Sequence, residues 1–92
     1  AVTANVTLTA GQNVLANTHA GARVYTLPAS PTVGDQVKII DLGNAATNNI
    51  TVGRNSEKIQ GSAADMTIST DSAAIALVYS TSDYGWRLKY ND

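Results

Sequence analysis

The stretch RVYTLPASPTVGDQVKIIDL, from Arg23 to Leu42, decides the fold class of this chain. It contains two extended runs, Arg23–Leu27 and Gln36–Leu42, joined by a connection that holds both prolines of the protein. Proline fixes φ, lacks an N–H and biases the preceding residue away from helix, so we expect a stiff, extended connection between two strands. Gly34-Asp35 is then expected to turn the chain into the second strand.

The same short-strand pattern continues on both sides of this stretch, and no segment shows a sustained helical period. The predicted strands are Val2–Thr9, Asn13–Asn17, Arg23–Leu27, Gln36–Leu42, Ile50–Arg54, Lys58–Gly61, Met66–Ser69, Ala73–Ser80 and Trp86–Tyr90. Short strands at roughly ten-residue spacing indicate an all-β protein. We expect residues 1–92 to form one compact domain: a sandwich, a jelly-roll-like fold or a Greek-key barrel of about eight short antiparallel strands.

Composition excludes several classes of function. The net charge is −1 and the six basic residues are scattered, which disfavours binding to nucleic acid. No apolar run is long enough to cross a membrane as a helix, and the chain has no cysteine for a disulfide or a thiolate metal site. Phenylalanine is absent, so the core depends on smaller side chains. A small domain of this kind gains stability by self-association, and we expect an oligomer.

Residues that suggest catalysis are few and dispersed. His19 is the only histidine and lies in a predicted surface turn, without the nearby nucleophile and orienting carboxylate that a catalytic histidine needs. Two carboxylate pairs are candidates for glycoside hydrolysis, Asp65 with Asp71 and Glu57 with Asp83. Most acidic residues stand beside turn-forming residues, which favours a structural role. We expect no enzymatic activity, no metal and no cofactor.

Aromatic and apolar positions leave two interpretations open. Trp86 with Tyr84 and Tyr90 is a candidate platform for a sugar, although the two-residue spacing of Trp86 and Tyr90 is more typical of a core face. Gln36–Leu42 is apolar on both faces, which indicates either a central strand or a strand at a subunit contact. Tyr25, Ile40 and Tyr79 are candidates for a subunit interface, with the core as the alternative.

Four segments in a fixed order resemble a module of structural proteins from tailed bacteriophages. They are YTLPASPTVGDQVKIID (25–41), AATNNITV (45–52), KIQGSAADMTI (58–68) and LVYSTSDYGWRL (77–88). Such modules occur at the ends of tail fibres and in small head decoration proteins. The resemblance implies a non-enzymatic β domain of the virion, usually trimeric, and it carries no catalytic residues. It begins at Tyr25 and leaves the preceding residues without a counterpart.

The expected role is that of a capsid decoration, or cement, protein on the outer surface of the virion. In this hypothesis, homotrimers bind the major capsid protein where capsid subunits meet, and many weak contacts add through avidity. The segment Ala1, Val2, Thr3, Ala4 and Asn5 is a candidate arm that adds a strand to a neighbour's sheet edge. The alternative is a tail-fibre tip whose loops Gly43–Asn49 and Thr81–Gly85 bind a host receptor or glycan.

Overall fold

The computed structural model describes residues 4–91, with side chains as far as Leu88. The described chain contains eight strands in two four-stranded sheets, which confirms the predicted all-β sandwich. The strands are β1 (Val6–Thr7), β2 (Asn13–Ala16), β3 (Arg23–Thr26), β4 (Gln36–Asp41), β5 (Ile50–Gly53), β6 (Met66–Ile68), β7 (Ala74–Tyr79) and β8 (Trp86–Asn91). No helix among the described residues is long and apolar enough to cross a membrane.

Strand direction differs from the expectation of antiparallel pairing. One sheet has the order β1-β3-β5-β6 and the other the order β2-β4-β7-β8. Pairs β1–β3, β3–β5 and β2–β4 are parallel, whereas β5–β6, β4–β7 and β7–β8 are antiparallel. From β1 to β5 the chain places successive strands in alternate sheets. Every second strand therefore returns to the same sheet in the same direction, so the chain winds around the sandwich like a spiral. Only the later strands form hairpin-like pairs.

The connection between β3 and β4 behaves as its sequence predicts. It crosses from one sheet to the other, and Asp35 N–H donates to the Thr32 carbonyl at 2.9 Å to close a turn at Gly34. The Asp35 carboxylate accepts from Thr32 N–H at 2.8 Å and fixes the same turn from the other side. Gly34 has φ of +93°, in the left-handed region that favours glycine. The strands β7 and β8, which follow each other in the chain, form an antiparallel hairpin with a β-bulge at Ala76/Leu77.

Two predicted strands are shorter or absent. Of the first predicted strand only Val6–Thr7 is paired, and Val2 and Thr3 lie outside the described residues. The segment predicted as Lys58–Gly61 forms only isolated bridges through Ile59, to Ser62 and to Trp86. Gln60 and Gly61 have positive φ, so the backbone bends away before a ladder is established. This segment instead lies against the start of β8.

The core lies between the two sheets and takes one side-chain set from each strand. The fully buried set includes Leu8, Val14, Ala16, Tyr25, Leu27, Val37, Ile39, Ile50, Val52, Leu77 and Trp86. The alternation Val37, Ile39 inward and Lys38, Ile40 outward places β4 as a central strand with a partly apolar outer face. The outward side chains of β4 therefore stand on the side of the sheet away from the core.

Candidate functional site

The outer face of the β2-β4-β7-β8 sheet carries an exposed apolar surface. Leu15 of β2 pairs in register with Ile40 of β4, which pairs with Ala74 of β7, so these side chains form one row across three strands. Leu42 continues the outward face of β4, and its N–H donates to the Ala16 carbonyl at 2.9 Å. Leu15 is 46% exposed and Leu42 43% exposed, while Ile40 is half-buried. We call Leu15, Ile40, Leu42 and Ala74 the outer apolar surface.

The other sheet presents a different outer face, because its outward positions are mostly threonine, with Val24, 37% exposed, beside Thr51. Thr7 pairs with Thr26, and Thr51 pairs with Thr67, and all four side chains are exposed or half-exposed. A hydroxyl on each of these side chains remains solvated, whereas leucine and isoleucine leave only hydrocarbon in water. The asymmetry between the two faces marks the outer apolar surface as the better candidate for contact with another protein.

The same face becomes polar towards the turns that contain Gly11 and Gly34. A shallow groove of about 680 Å³ lies there, with Ala76 among its lining residues. Its polar lining side chains are Gln12, Asn13, Asp35, Gln36 and Lys38. The face therefore combines an apolar region with a region of amide and charged groups, an arrangement typical of protein interfaces with an apolar centre and a polar rim.

The structure separates the three predicted interface residues. Ile40 lies on the outer apolar surface and is accessible to a partner. Tyr25 is completely buried within the sandwich, so its side chain belongs to the core alternative and cannot meet a neighbour. Tyr79 is also buried, 7% exposed, and packs edge-to-face on Trp86 with ring centroids 5.4 Å apart. Only Ile40 remains in the interface hypothesis.

The candidate arm lies mostly outside the described residues, since Ala1, Val2 and Thr3 are not included. Ala4 and Asn5 are exposed. The Asn5 side-chain carbonyl accepts from Val24 N–H at 2.8 Å and takes the place of a strand partner for β3 at the sheet edge. Asn5 therefore fastens the chain where it enters β1.

Tyr79 is held by a carboxylate. Its hydroxyl donates to Glu57 Oε1 at 2.8 Å, and this hydrogen bond, more than burial, raises the pKa of Tyr79 above its usual value of 10.0. Burial raises the pKa of Tyr25 above the same value, opposed by the charge of Arg23. Glu57 belongs to the segment that lies against β8, so its hydrogen bond also fixes that segment to β7.

We expect the folded protein to lose stability as the pH rises above about 10. Tyr79 and Tyr25 keep their protons to higher pH when folded than when unfolded, so deprotonation favours the unfolded chain. The contribution is fully present below the unfolded pKa and is lost as the pH passes through the folded pKa. Urea unfolding at a series of pH values from 8 to 12 measures it. Glu57→Gln should make the alkaline loss smaller, and an unchanged profile would contradict the role of this hydrogen bond.

The structure does not assemble the catalytic candidates into a site. His19 is exposed, and its Nδ1 lies 2.9 Å from Asn17 Oδ1 within the same turn. Asp65 accepts from Arg54 N–H at 3.0 Å, whereas Asp71 accepts from Ala46 N–H at 2.9 Å. The strand β6 lies between these two carboxylates, so they face opposite ends of the sandwich. Both act as acceptors for backbone groups of neighbouring loops.

In the second pair, Glu57 takes part through its carboxylate and Asp83 through its backbone. Glu57 is engaged by Tyr79, and the Asp83 backbone carbonyl accepts from Lys58 Nζ at 3.3 Å. Among the described residues, no three histidine or acidic side chains form a group that could hold a metal ion. The arrangement of these residues thus offers hydrogen-bonding anchors for loops.

Trp86 and Tyr84 of the predicted aromatic platform differ in solvent exposure. Trp86 is completely buried, whereas Tyr84 is 62% exposed, so the two rings do not share a surface. The loops Gly43–Asn49 and Thr81–Gly85 also lie apart. The first comes after the end of β4 and the second after the end of β7, and these two strands are antiparallel neighbours. The loops therefore occupy opposite ends of the sandwich and do not form one receptor surface.

Asp41, which the sequence pattern did not single out, accepts several hydrogen bonds through one side-chain oxygen. It is 4% exposed and points inward from β4. Its Oδ2 accepts three backbone N–H groups, from Ser72 at 2.8 Å, Gly43 at 2.9 Å and Ala45 at 3.2 Å. The available signal was the two-residue alternation along β4: Asp41 continues the inward series Val37, Ile39 and so occupies a core position. Asp41 thus joins the end of β4 to the loop that follows it and to the loop that precedes β7.

No family model matches the chain, and no curated protein matches it.

Proposed function

We propose that this protein is a non-enzymatic structural protein of a tailed-bacteriophage virion that decorates the outer capsid surface. The observation that carries the assembly part of this proposal is the outer apolar surface, where the exposed side chains of Leu15 and Leu42 stand beside half-buried Ile40. Burying such side chains against another subunit is favourable by about 25 cal/mol per Å² of apolar area. The location in a virion rests on the ordered resemblance of residues 25–88 to phage structural modules.

In this role the protein stabilises the shell by bridging. Copies associate with each other and with the major capsid protein, and every bridge must break before the shell ruptures. The resemblance implies trimers, and trimers multiply a weak single contact by avidity. The β-sandwich suits this task, because alternating strands bury one face of each sheet and leave the other faces for neighbours.

Leu42→Asp should weaken attachment to capsids by at least about tenfold, because a charge would replace a leucine that is buried on association. The matched control is Val33→Asp, which places the same charge on the more exposed connection before β4. The measurement is the number of copies retained per particle after washing, with purified capsids that lack the protein. Equal retention of both variants would exclude the outer apolar surface as the contact.

The location itself is tested by density mapping of the purified particle. Hundreds of copies on the shell would support decoration, and a few copies at the tail would overturn it.

The second candidate, a tail-fibre tip that binds a receptor or glycan, is favoured by the polar groove near Gly11 and Gly34. Its amide and charged side chains are the groups that hydrogen-bond sugar hydroxyls. Saturable glycan binding lost on Gln36→Ala would favour this alternative.

A further inference from the structure

The four sheet edges of the sandwich are not equally protected. Edge strands β1 and β6 have only two and three residues. The start of β8 is covered by the segment around Ile59: Trp86 N–H donates to the Lys58 carbonyl at 2.7 Å, and Gln60 N–H donates to the Trp86 carbonyl at 2.7 Å. Gln60 Oε1 then accepts from Leu88 N–H at 3.3 Å. Short strands and covered edges are the usual means of preventing association between sheets.

Within the part of the chain that the structure describes, the β2 edge lacks these protections. It has four residues, Asn-Val-Leu-Ala, without a charge or a proline. The carbonyls of Gln12 and Ala16 accept from β4, at 3.0 Å from Lys38 N–H and 2.9 Å from Leu42 N–H. Since backbone groups alternate in direction along a strand, the N–H and C=O groups of Asn13 and Leu15 face away from β4. Among the strands the structure describes, β4 is the only one that pairs with β2.

We propose that the β2 edge pairs with the β2 edge of a second copy. An antiparallel pair across a twofold axis at Leu15 sets Leu15 opposite its equivalent and Asn13 opposite Asn17. The outward groups of both strands then form about six backbone hydrogen bonds. The two four-stranded sheets become one sheet of eight strands, with both outer apolar surfaces adjacent across the axis.

A second copy fits this edge because the edge is complementary to itself. It is neutral, so no like charges oppose each other when two copies meet. Leu15 is 46% exposed beside half-buried Ile40, so the pairing also covers apolar area on the face next to the ladder. An isologous contact uses the edge of both copies and leaves neither open, so each β2 edge takes part in a single pairing. In a trimeric assembly the same pairing joins one trimer to the next.

This inference rests on the self-association in the proposed function and names the strand that carries it. It is tested with the free, full-length chain by sedimentation over a range of concentrations. Leu15→Pro removes the outward N–H without removing a ladder bond to β4, a substitution that edge strands tolerate. Leu15→Thr removes the same apolar side chain but keeps the N–H. We expect the proline variant to weaken pairing at least about tenfold more than the threonine variant.

Trp86 fluorescence reports whether Leu15→Pro folds. If it does not fold, two further measurements still test the pairing. In the native chain, hydrogen exchange at the amides of Asn13 and Leu15 should slow as protein concentration rises, while the amide of Thr7 on the β1 edge should not respond. Because the chain has no cysteine, Leu15→Cys gives a single reactive position. It should be joined to a second copy by a short bifunctional maleimide much faster than Tyr84→Cys, although Tyr84 is the more exposed of the two positions.

The outcomes separate the two proposals. Association that is equally affected by proline and threonine at Leu15, or equal cross-linking from Leu15→Cys and Tyr84→Cys, would overturn the β2 pairing and leave capsid decoration standing. A native chain that sediments as a single copy at every concentration would overturn both the pairing and the proposed self-association. If the chain pairs as predicted but particle maps place it at a site other than the shell, only the decoration role is overturned.

Discussion

Gly85→Ala is expected to remove a large part of the stability of the protein. A Cβ atom at Gly85 would lie 1.9 Å from the carbonyl oxygen of Lys58 and 2.4 Å from its carbonyl carbon. Both are backbone atoms, which cannot rotate away as a long side chain does. Gly85 also has φ of +72°, where a side chain adds about 1–2 kcal/mol of strain. The segment around Lys58 must therefore leave the turn.

The consequence extends beyond the turn because that segment covers Trp86. Its displacement breaks the two hydrogen bonds between Trp86 and the backbone of Lys58 and Gln60 and exposes the largest buried side chain. We expect a loss of at least about 4 kcal/mol, against a total of about 5–15 kcal/mol for a domain of this size. The measurement is urea unfolding followed by Trp86 fluorescence.

The matched control is Gly34→Ala. Gly34 has φ of +93°, but a Cβ there would meet no atom within 4 Å, so only the backbone strain of about 1–2 kcal/mol is expected. The difference between the two variants isolates the close approach of Lys58 to Gly85. If both variants lost the same stability, the segment around Lys58 would not be packed against the turn in solution.

Asp41→Ala is expected to have the second largest effect. Three backbone N–H groups, from Gly43, Ala45 and Ser72, would lose their shared acceptor in a buried or partly buried setting. Leaving a buried donor without a partner costs about 1–3 kcal/mol each, and the loops relax to recover part of this with water. We expect the free energy of unfolding to fall by about 3–5 kcal/mol in urea titrations.

Asp41→Asn provides the comparison. The amide oxygen can replace Oδ2 as acceptor, so the three N–H groups keep a partner, although a neutral one. The amide nitrogen would take the place of Oδ1, which is buried and has no hydrogen-bond partner. The asparagine variant should therefore lose roughly half as much stability as the alanine variant. Equal losses would show that the hydrogen bonds of Oδ2 do not account for the effect.

The strands and their faces were predictable because both are local properties. Alternation with a period of two identifies a strand and its buried side from a few consecutive residues. The alternation places Val37 and Ile39 on one face of β4 and Ile40 and Leu42 on the other, and the structure shows that the first face is the buried one. The rule also shows why Asp41 was missed. Asp41 was grouped with the acidic residues that stand beside turn-forming residues, and its place in the alternating pattern of β4 was not used.

The candidate site was predictable only in part. Ile40 was selected because β4 is apolar on both faces, and it lies on the outer apolar surface. Tyr25 was selected for the same reason as other large side chains on strands, and burial in the sandwich removes it. Leu15 and Leu42 were not selected, because their exposure depends on which strand stands beside β2 and on the path of the chain after β4. A sequence pattern contains neither fact.

By itself, the sequence determined the all-β class, most strand positions, the proline connection between Arg23 and Leu42, and the set of side chains available for the core. These features depend on backbone geometry and side-chain size within a few residues. The tertiary structure alone decided that the first strands alternate between sheets and pair in parallel, that Asp41 is buried, and that β2 is an unprotected edge. Each of these depends on contacts between residues far apart in the chain, and many pairings satisfy the same local alternation.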